Sequence, residues 1–141
     1  MNIEIEMVLR LLLAAVLGGI IGFQREWTGK EAGLRTNMLI CVGSALFTAL
    51  SVYGFPGADP SRIAAGIATG IGFIGAGVIL HRTGGSVVGL TSAATIFAVA
   101  GIGMAAGAGK YYLSVGATLI TLGVLLLPHL HRVYKDKEPK E

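Results

Sequence analysis

The sequence has little charge and a single cysteine. Of its 141 residues, 13% are Asp, Glu, Lys or Arg, whereas 53% are hydrophobic, and the mean hydropathy is +0.73. A soluble domain carries about 25% charged residues, so this composition excludes a fold that covers itself with polar side chains in water. The lone Cys41 excludes a disulfide framework within the chain. The length allows one domain.

Long uncharged runs make up most of the chain. A membrane-crossing helix needs about 20 apolar residues, and uncharged runs of similar length separate the charge clusters. We therefore predict an all-α fold, a polytopic bundle of about five transmembrane helices, near residues 6–23, 36–54, 62–80, 90–108 and 111–128. The fourth segment is rich in Gly and Ala, so a re-entrant or interrupted segment is the alternative there. Residues 1–131 are predicted to form the membrane domain and residues 132–141 a basic, disordered tail.

Positive charge is shared unequally between the two sides of this predicted bundle. With five spans, three Lys or Arg residues lie on the side of the N-terminus and eight on the other side. Positive residues stay in the cytoplasm, so the N-terminus is predicted outside and the C-terminus in the cytoplasm. Glu4 and Glu6 favour a retained first helix over a cleaved signal peptide, which begins with basic residues. The same bias explains the pI of about 9.2, with the lipid bilayer as the partner and no nucleic acid.

The run GIGFIGAG at residues 70–77 allows two interpretations. Its first six residues match G-x-G-x-x-G, a dinucleotide-binding pattern that needs a preceding strand and an acidic residue about 20 positions later. The preceding DPSRIAAGIAT instead begins like a helix, with Asp59 as N-cap and Pro60 in the first turn, and residues 90–109 contain no acid. The glycines are therefore predicted to let helices pack closely in lipid.

These glycines form two rows on the predicted third helix. At about 100° per residue, Gly66, Gly70 and Gly77 share one face, whereas Gly72 and Gly75 lie on roughly the opposite face. The third helix is therefore predicted at the centre of the bundle, and a glycine-induced bend that exposes a carbonyl is the alternative. Gly18 and Gly22 form a similar row on the first helix.

The stretch GFQREWTGKEAGLRTN at residues 22–37 carries the richest set of polar residues. If the first helix continues, Glu26 follows Gly18 and Gly22 in steps of four and points into the bundle, with Arg25 beside it. Magnesium sites usually include one or two carboxylates, so Glu26 is a weak candidate ligand and no other metal site is predicted. The four later spans contain no acidic residue, which argues against a carboxylate-lined ion path.

No enzyme and no cofactor are predicted, because the chain shows no plausible set of nucleophile, base and orienting group. Arg10, near the start of the first helix, is predicted to snorkel to the nearby interface, as a long cationic side chain can. Thr91 and Ser92 are predicted either to cap the fourth helix or to form hydrogen bonds between helices.

Three segments together resemble the MgtC/SapB family of bacterial inner-membrane proteins. They are GFQREWTGKEAGLRTN, DPSRIAAGIATGIGFIGAGVIL and GLTSAATIFAVAGIGMAAG, in this order and spacing. The resemblance extends to about Leu127 and is to a short member without the family's C-terminal soluble domain. It implies a non-enzymatic protein that supports growth at low magnesium and virulence, and that restrains the membrane sector of the F-type ATP synthase rather than carrying magnesium.

The polar positions selected as functional or partner-binding are Arg25, Glu26, Arg35, Asn37, Asp59, Arg62, Arg82 and Thr91. Thr91 occupies a motif position where some family members have Asn and where partner interaction has been placed. Three hypotheses follow: a regulator that binds a membrane partner, a small oligomeric transporter or channel for an ion such as Mg²⁺, and a self-assembling membrane scaffold. A homo-oligomer, with a dimer favoured, fits all three.

Overall fold

The computed structural model describes residues 2–80 and 88–127, with the side chain of Leu80 excepted, and forms five helices there without any strand. The helices are α1 (Ile3–Trp27), α2 (Leu34–Tyr53), α3 (Pro60–Leu80), α4 (Leu90–Gly107) and α5 (Tyr111–Leu126). The first four are long and apolar enough to cross a membrane, and α5 is a shorter apolar helix of 16 residues. The predicted all-α membrane bundle is confirmed.

The bounds of α1 differ from those predicted, whereas α4 matches its predicted span closely. α1 begins at Ile3 rather than near residue 6 and ends at Trp27 rather than near residue 23, so Arg25 belongs to the helix. α4 is a single uninterrupted helix of 18 residues. A helix of this length can cross the membrane, so the interrupted alternative for the fourth segment is not needed.

α4, not α3, lies at the centre of the bundle. It contacts all four other helices, and half of its apolar span is buried, against 11% of that of α3. The core around it includes the fully buried side chains of Ile21, Ile96, Val99 and Ile102. The predicted central position of α3 is therefore corrected. Small residues permit close packing on a face, but they do not determine which face another helix covers.

The closest helix contacts are made by glycines of α1 and α4. A Cβ built on Gly103 would collide with the backbone carbonyl of Cys41, and one on Gly107 with that of Ala45. A Cβ on Gly18 would lie 2.6 Å from Cys41 Cβ, and one on Gly22 would lie 2.8 Å from the Cα of Leu34. The backbones of α1, α2 and α4 thus touch directly, as small residues permit in membrane bundles.

Most glycines of α3 make no such contact. Within the described part of the chain, apart from neighbouring residues and nearby backbone of α3 itself, no atom lies within 4 Å of a Cβ built on Gly66, Gly70, Gly72 or Gly77. Gly75 alone among the predicted packing glycines of α3 meets a neighbour, Ala93 of α4, at an ordinary distance of 3.5 Å. One face of α3 therefore packs on α4, α3 contacts α2 less extensively, and most of its glycines lie outside these contacts.

Arg10 joins four helices at one end of the bundle, called here the Arg10 end. Its Nη1 donates to Tyr53 Oη at 2.9 Å and to the carbonyl of Gly107 at 3.0 Å, and its Nε donates to Tyr111 Oη at 3.1 Å. Its Nη2 forms a salt bridge with Glu6. Arg10 is 6% exposed, so its guanidinium is not surrounded by water at this end of the bundle. Acceptors at the ends of α2, α4 and α5 converge on it instead.

Replacing Arg10 with Met is expected to lower the free energy of unfolding by about 1–3 kcal/mol, because the buried Gly107 carbonyl loses its donor. Arg10→Lys should also destabilise, since an ammonium cannot match the planar fork of donors. Thermal unfolding in detergent measures the loss. Arg35→Met, at an exposed position of α2, is the control and should change stability by less than about 0.5 kcal/mol. Equal effects of the Arg10→Met and Arg35→Met changes would contradict the expectation.

Asp59 precedes α3 and bonds to its first turn, as its position before Pro60 predicts. Its Oδ2 accepts from the Ser61 hydroxyl at 2.8 Å and its Oδ1 from the Ser61 N–H at 2.9 Å. These two hydrogen bonds hold the pKa of Asp59 below its ordinary value. The carboxylate therefore stays ionised beside the start of the helix, where negative charge is favourable.

Candidate functional site

Several of the predicted polar positions lie at the end opposite Arg10, where α1 ends and α2 and α4 begin. This end, called here the Arg25 end, holds Arg25, Glu26, Arg35, Asn37 and Thr91. Asp59 and Arg62 belong to the Arg10 end, at the start of α3. Arg82 lies outside the described residues. The predicted set is thus divided between the two ends of the bundle.

Arg25 is a buried cation whose hydrogen-bond partner is neutral. Its side chain is 3% exposed, and its Nη2 donates to the Ser92 hydroxyl of α4 at 2.6 Å. Its Nε is buried and has no partner, and the described residues place no carboxylate within ion-pair distance of it. A buried charge without a counter-charge costs several kcal/mol. Such an arrangement in a membrane protein indicates function more often than packing.

Ser92 fixes the position of the Arg25 side chain, because the first turn of α4 lies beside the last turn of α1. The predicted hydrogen bond between helices is therefore present at Ser92, which is 4% exposed. Thr91, one residue earlier on the same turn, is exposed. Adjacent residues of a helix point about 100° apart, so one faces the surface while the next holds the buried guanidinium.

Glu26 lies at the surface and bonds to the start of α2. Its Oε2 accepts from the backbone N–H of Leu34 at 2.8 Å. Gly33 occupies the N-cap position and has no side chain to offer, so Glu26 supplies the missing acceptor from α1. The prediction that Glu26 points into the bundle is wrong. Steps of four residues drift by about 40° around a helix, so the buried row passes from Gly22 to Arg25 instead.

Glu26→Ala is expected to destabilise the bundle by about 1 kcal/mol, the usual effect of removing a helix cap. Glu26→Gln keeps an acceptor oxygen in the same place, so most of the stability should remain. Unfolding of both variants in detergent measures the difference, with the exposed Glu4→Ala as control. If Gln and Ala destabilise equally, the carboxylate has a role beyond the cap.

Glu26, the weak candidate for a metal ligand, does not belong to a larger cluster of ligand residues in the described part of the chain. Among the described residues, no three His, Cys, Asp or Glu side chains lie where they could hold a metal ion together. Glu26, the weak candidate ligand, uses Oε2 for the cap of α2. Its position at the surface, away from the packed helix faces, also separates it from any path between α1, α2 and α4.

Asn37 fixes the connection between α1 and α2. It is fully buried, and its Nδ2 donates to the carbonyls of Ala32 at 2.7 Å and Gly33 at 2.8 Å. Its Oδ1 has no partner in the described part of the chain, and the same holds for Gln24 Oε1. Four buried polar side-chain atoms have no hydrogen-bond partner in the described part of the chain, and three of them, including Arg25 Nε, lie at or near the Arg25 end. Each unsatisfied buried polar group in a native protein calls for an explanation, so this end is the candidate functional site.

Arg10, Gly103 and Gly107 have structural roles that the sequence prediction missed. Gly103 and Gly107 are four residues apart in GIGMAAG, the same spacing of small residues that drew attention to α3. That signal was therefore present in the sequence. For Arg10 only its place within an apolar run was visible, because its partners come from three other helices.

Comparison with known proteins gives a consistent result. A model of the MgtC family matches residues 11–133. The chain is 51% identical over 132 residues to the "Putative magnesium transporter YhiD" of Escherichia coli K12, covering 88% of this chain and 61% of that protein. It is 48% identical over 115 residues to the protein MgtC of Salmonella typhimurium LT2, covering 82% of this chain and 49% of that protein.

The chain thus spans between half and about three fifths of the length of these two relatives. No solved structure matches it. The matched region contains α2, α3, α4 and α5 entirely and most of α1, with Arg25, Asn37 and Ser92 inside it. On the family match and on these identities, the chain belongs to the MgtC family.

Proposed function

We propose that the chain is a non-enzymatic membrane protein of magnesium homeostasis that acts by binding a protein partner at its Arg25 end. The expected partner is the membrane sector of the F-type ATP synthase, and the expected setting is growth at low magnesium or under virulence-type stress. Family membership and the magnesium-related name of YhiD support the first part. The proposal places the protein in the bacterial inner membrane with the Arg25 end in the cytoplasm, following the positive residues there.

Arg25 carries the proposal. Its guanidinium is buried and bonded to a neutral hydroxyl, and its Nε has no acceptor among residues 2–80 and 88–127. Thr91 is exposed on the turn that contains Ser92. A partner that docks against Thr91 can therefore change the position of Ser92 and, through it, the end of α1. An unsatisfied buried polar group in a native protein calls for an explanation, and a partner contact that moves this turn would supply one.

The packing of the bundle favours binding over conduction. α1, α2 and α4 touch through their backbones at Gly18 and Gly103, and Ile21, Val99 and Ile102 fill the space between them. A water-filled route between these three helices would require the backbones to separate. A partner protein, in contrast, needs an accessible surface, which the exposed residues of the Arg25 end provide.

Site-specific crosslinking tests the proposal. A photoreactive residue in place of Thr91 is expected to crosslink to a proton-channel subunit of the synthase in native membranes. The same residue in place of Thr69, exposed on α3, is the control and should not. ATP-driven proton pumping by inverted vesicles should fall when the protein is present. Crosslinks at position 91 that reach only another copy of the chain would overturn the proposal and favour a self-assembling scaffold.

A transporter is the second candidate, because YhiD carries that description. Five helices enclose little space, so transport would require a path between copies, such as a dimer. Magnesium flux into proteoliposomes that contain the purified protein distinguishes the two functions. The binding proposal expects no flux above that of empty vesicles. Flux that disappears in Glu26→Gln would instead establish a transporter.

A further inference from the structure

An open groove runs between α2 and α3. The two helices contact each other less extensively than either contacts α4, and they leave a space of about 560 Å³. Leu39 and Phe47 line it on α2, and Gly66, Gly70 and Ile74 line it on α3. This volume is within the range of about 300–1,000 Å³ typical of small-molecule sites. The groove can therefore hold a chain-like ligand.

The lining of the groove is almost wholly apolar. Gly66 and Gly70 contribute no side chain to it, and no described atom lies within 4 Å of a Cβ built on either. Ser44, the one neutral polar residue of the lining, is 4% exposed and lies at the base. An aqueous solute would gain no hydrogen bonds along such a surface, whereas a hydrocarbon chain would fit it.

Arg62 is the only charged residue that lines the groove within the described part of the chain. It is the third residue of α3 and is exposed. α3 has 21 residues and is about 31 Å long, close to the thickness of the hydrocarbon core. Arg62 therefore lies near the level of the lipid headgroups. The nearby Asp59 carboxylate accepts from Ser61, and the described residues form no ion pair with Arg62.

We propose that the groove binds a phospholipid, with one acyl chain between α2 and α3 and the phosphate on Arg62. The groove and a phospholipid are complementary, because the one cation of the lining, Arg62, lies at the headgroup end and the rest of the lining is almost wholly apolar. Guanidinium and phosphate form strong, charge-assisted hydrogen bonds. This inference does not depend on the proposed function, since the groove and the Arg25 end are separate surfaces.

A second copy of the chain fits the groove less well. In a two-fold dimer both copies cross the membrane in the same direction, so residues of equal number lie at equal depth. If α3 of each copy entered the groove of the other, the two Arg62 side chains would approach at that depth. Like charges brought together at an interface are unfavourable. A phospholipid supplies the opposite charge at the same place.

Native mass spectrometry of the delipidated protein in detergent tests the proposal. Phosphatidylglycerol and a diacylglycerol with the same chains are titrated in parallel. The phosphate should strengthen binding about fivefold, from about 1 kcal/mol for one basic residue at the membrane surface, and Arg62→Gln should remove this difference. Arg35→Gln, an exposed arginine at the opposite end, is the control and should keep it.

A second pair of variants tests the acyl chain. Gly70→Leu fills the groove and should weaken phosphatidylglycerol binding about tenfold, the effect of losing contact with about two methylenes. Gly72→Leu, exposed on the same helix but outside the groove lining, should bind like the unchanged protein. Equal binding by the Gly70→Leu and Gly72→Leu variants overturns the proposal. So does a dimer that Gly70→Leu abolishes, because a second copy would then occupy the groove.

Discussion

Gly103→Leu is expected to prevent the bundle from forming, with a loss of more than about 3 kcal/mol in the free energy of unfolding. Even a single Cβ at this position collides with the Cys41 carbonyl of α2. The obstacle is backbone, which cannot rotate away as a side chain can, so α2 and α4 must separate. Gly103→Ala should cost about 1–3 kcal/mol for the same reason.

The control lies two residues away. Gly101 is exposed on α4, and no described atom lies within 4 Å of a Cβ built on it. Gly101→Leu should therefore leave the protein stable and abundant in the membrane. The yield of folded protein and its thermal unfolding in detergent compare the two positions. If the variants at 101 and 103 behaved alike, the close contact between α2 and α4 would not contribute to stability.

Arg25→Met is expected to abolish function while it leaves stability within about 1 kcal/mol of that of the unchanged protein. Replacing a buried charge by an apolar side chain of similar length is often neutral or stabilising. Among the described residues Arg25 pairs with no carboxylate, so its removal leaves no unpaired negative charge there. Growth at low magnesium of a strain that depends on this protein measures function. Unfolding in detergent measures stability.

The partner residue supplies the counter-experiment. Ser92→Ala leaves the guanidinium without its hydrogen bond and should cost about 1–3 kcal/mol. In the double variant the Arg25→Met change removes the charge that needed this bond, so most of the loss should disappear. A large destabilisation by Arg25→Met alone would show that Arg25 supports the fold instead of a function.

The spans and the family were predictable from the sequence because both depend on local features. Apolar length sets where a helix can cross the membrane, and Asp59 with Pro60 marks the start of α3 through its own first turn. The MgtC family motifs are contiguous stretches of sequence. Each of these signals lies within one segment, so it can be recognised without knowing which other segments that segment contacts.

The packing was less predictable because it depends on which faces meet. Small residues mark both α3 and α4, but only the structure shows that Gly103 meets α2 while Gly70 meets none of the described atoms. Arg25 and Glu26 are adjacent and point about 100° apart around α1, so a small error in the predicted direction decides which of them faces inward. Arg10 bonds to groups 43, 97 and 101 residues away, which no local pattern reveals.

The two buried arginines of α1 have a consequence for biosynthesis. Chains are made from the N-terminus at about 5–20 residues per second, so α1 leaves the ribosome before α2, α4 and α5. The groups that bond to Arg25 and Arg10 include Ser92, Gly107 and Tyr111, which are translated much later. Arg10 can bond early to Glu6 of its own helix and to Tyr53 of α2, whereas Arg25 stays in the insertion machinery or in contact with water until α4 is made. Assembly of the Arg25 end thus follows the synthesis of α4, and a ribosome that stalls before Ser92 leaves the Arg25 guanidinium without its hydrogen bond.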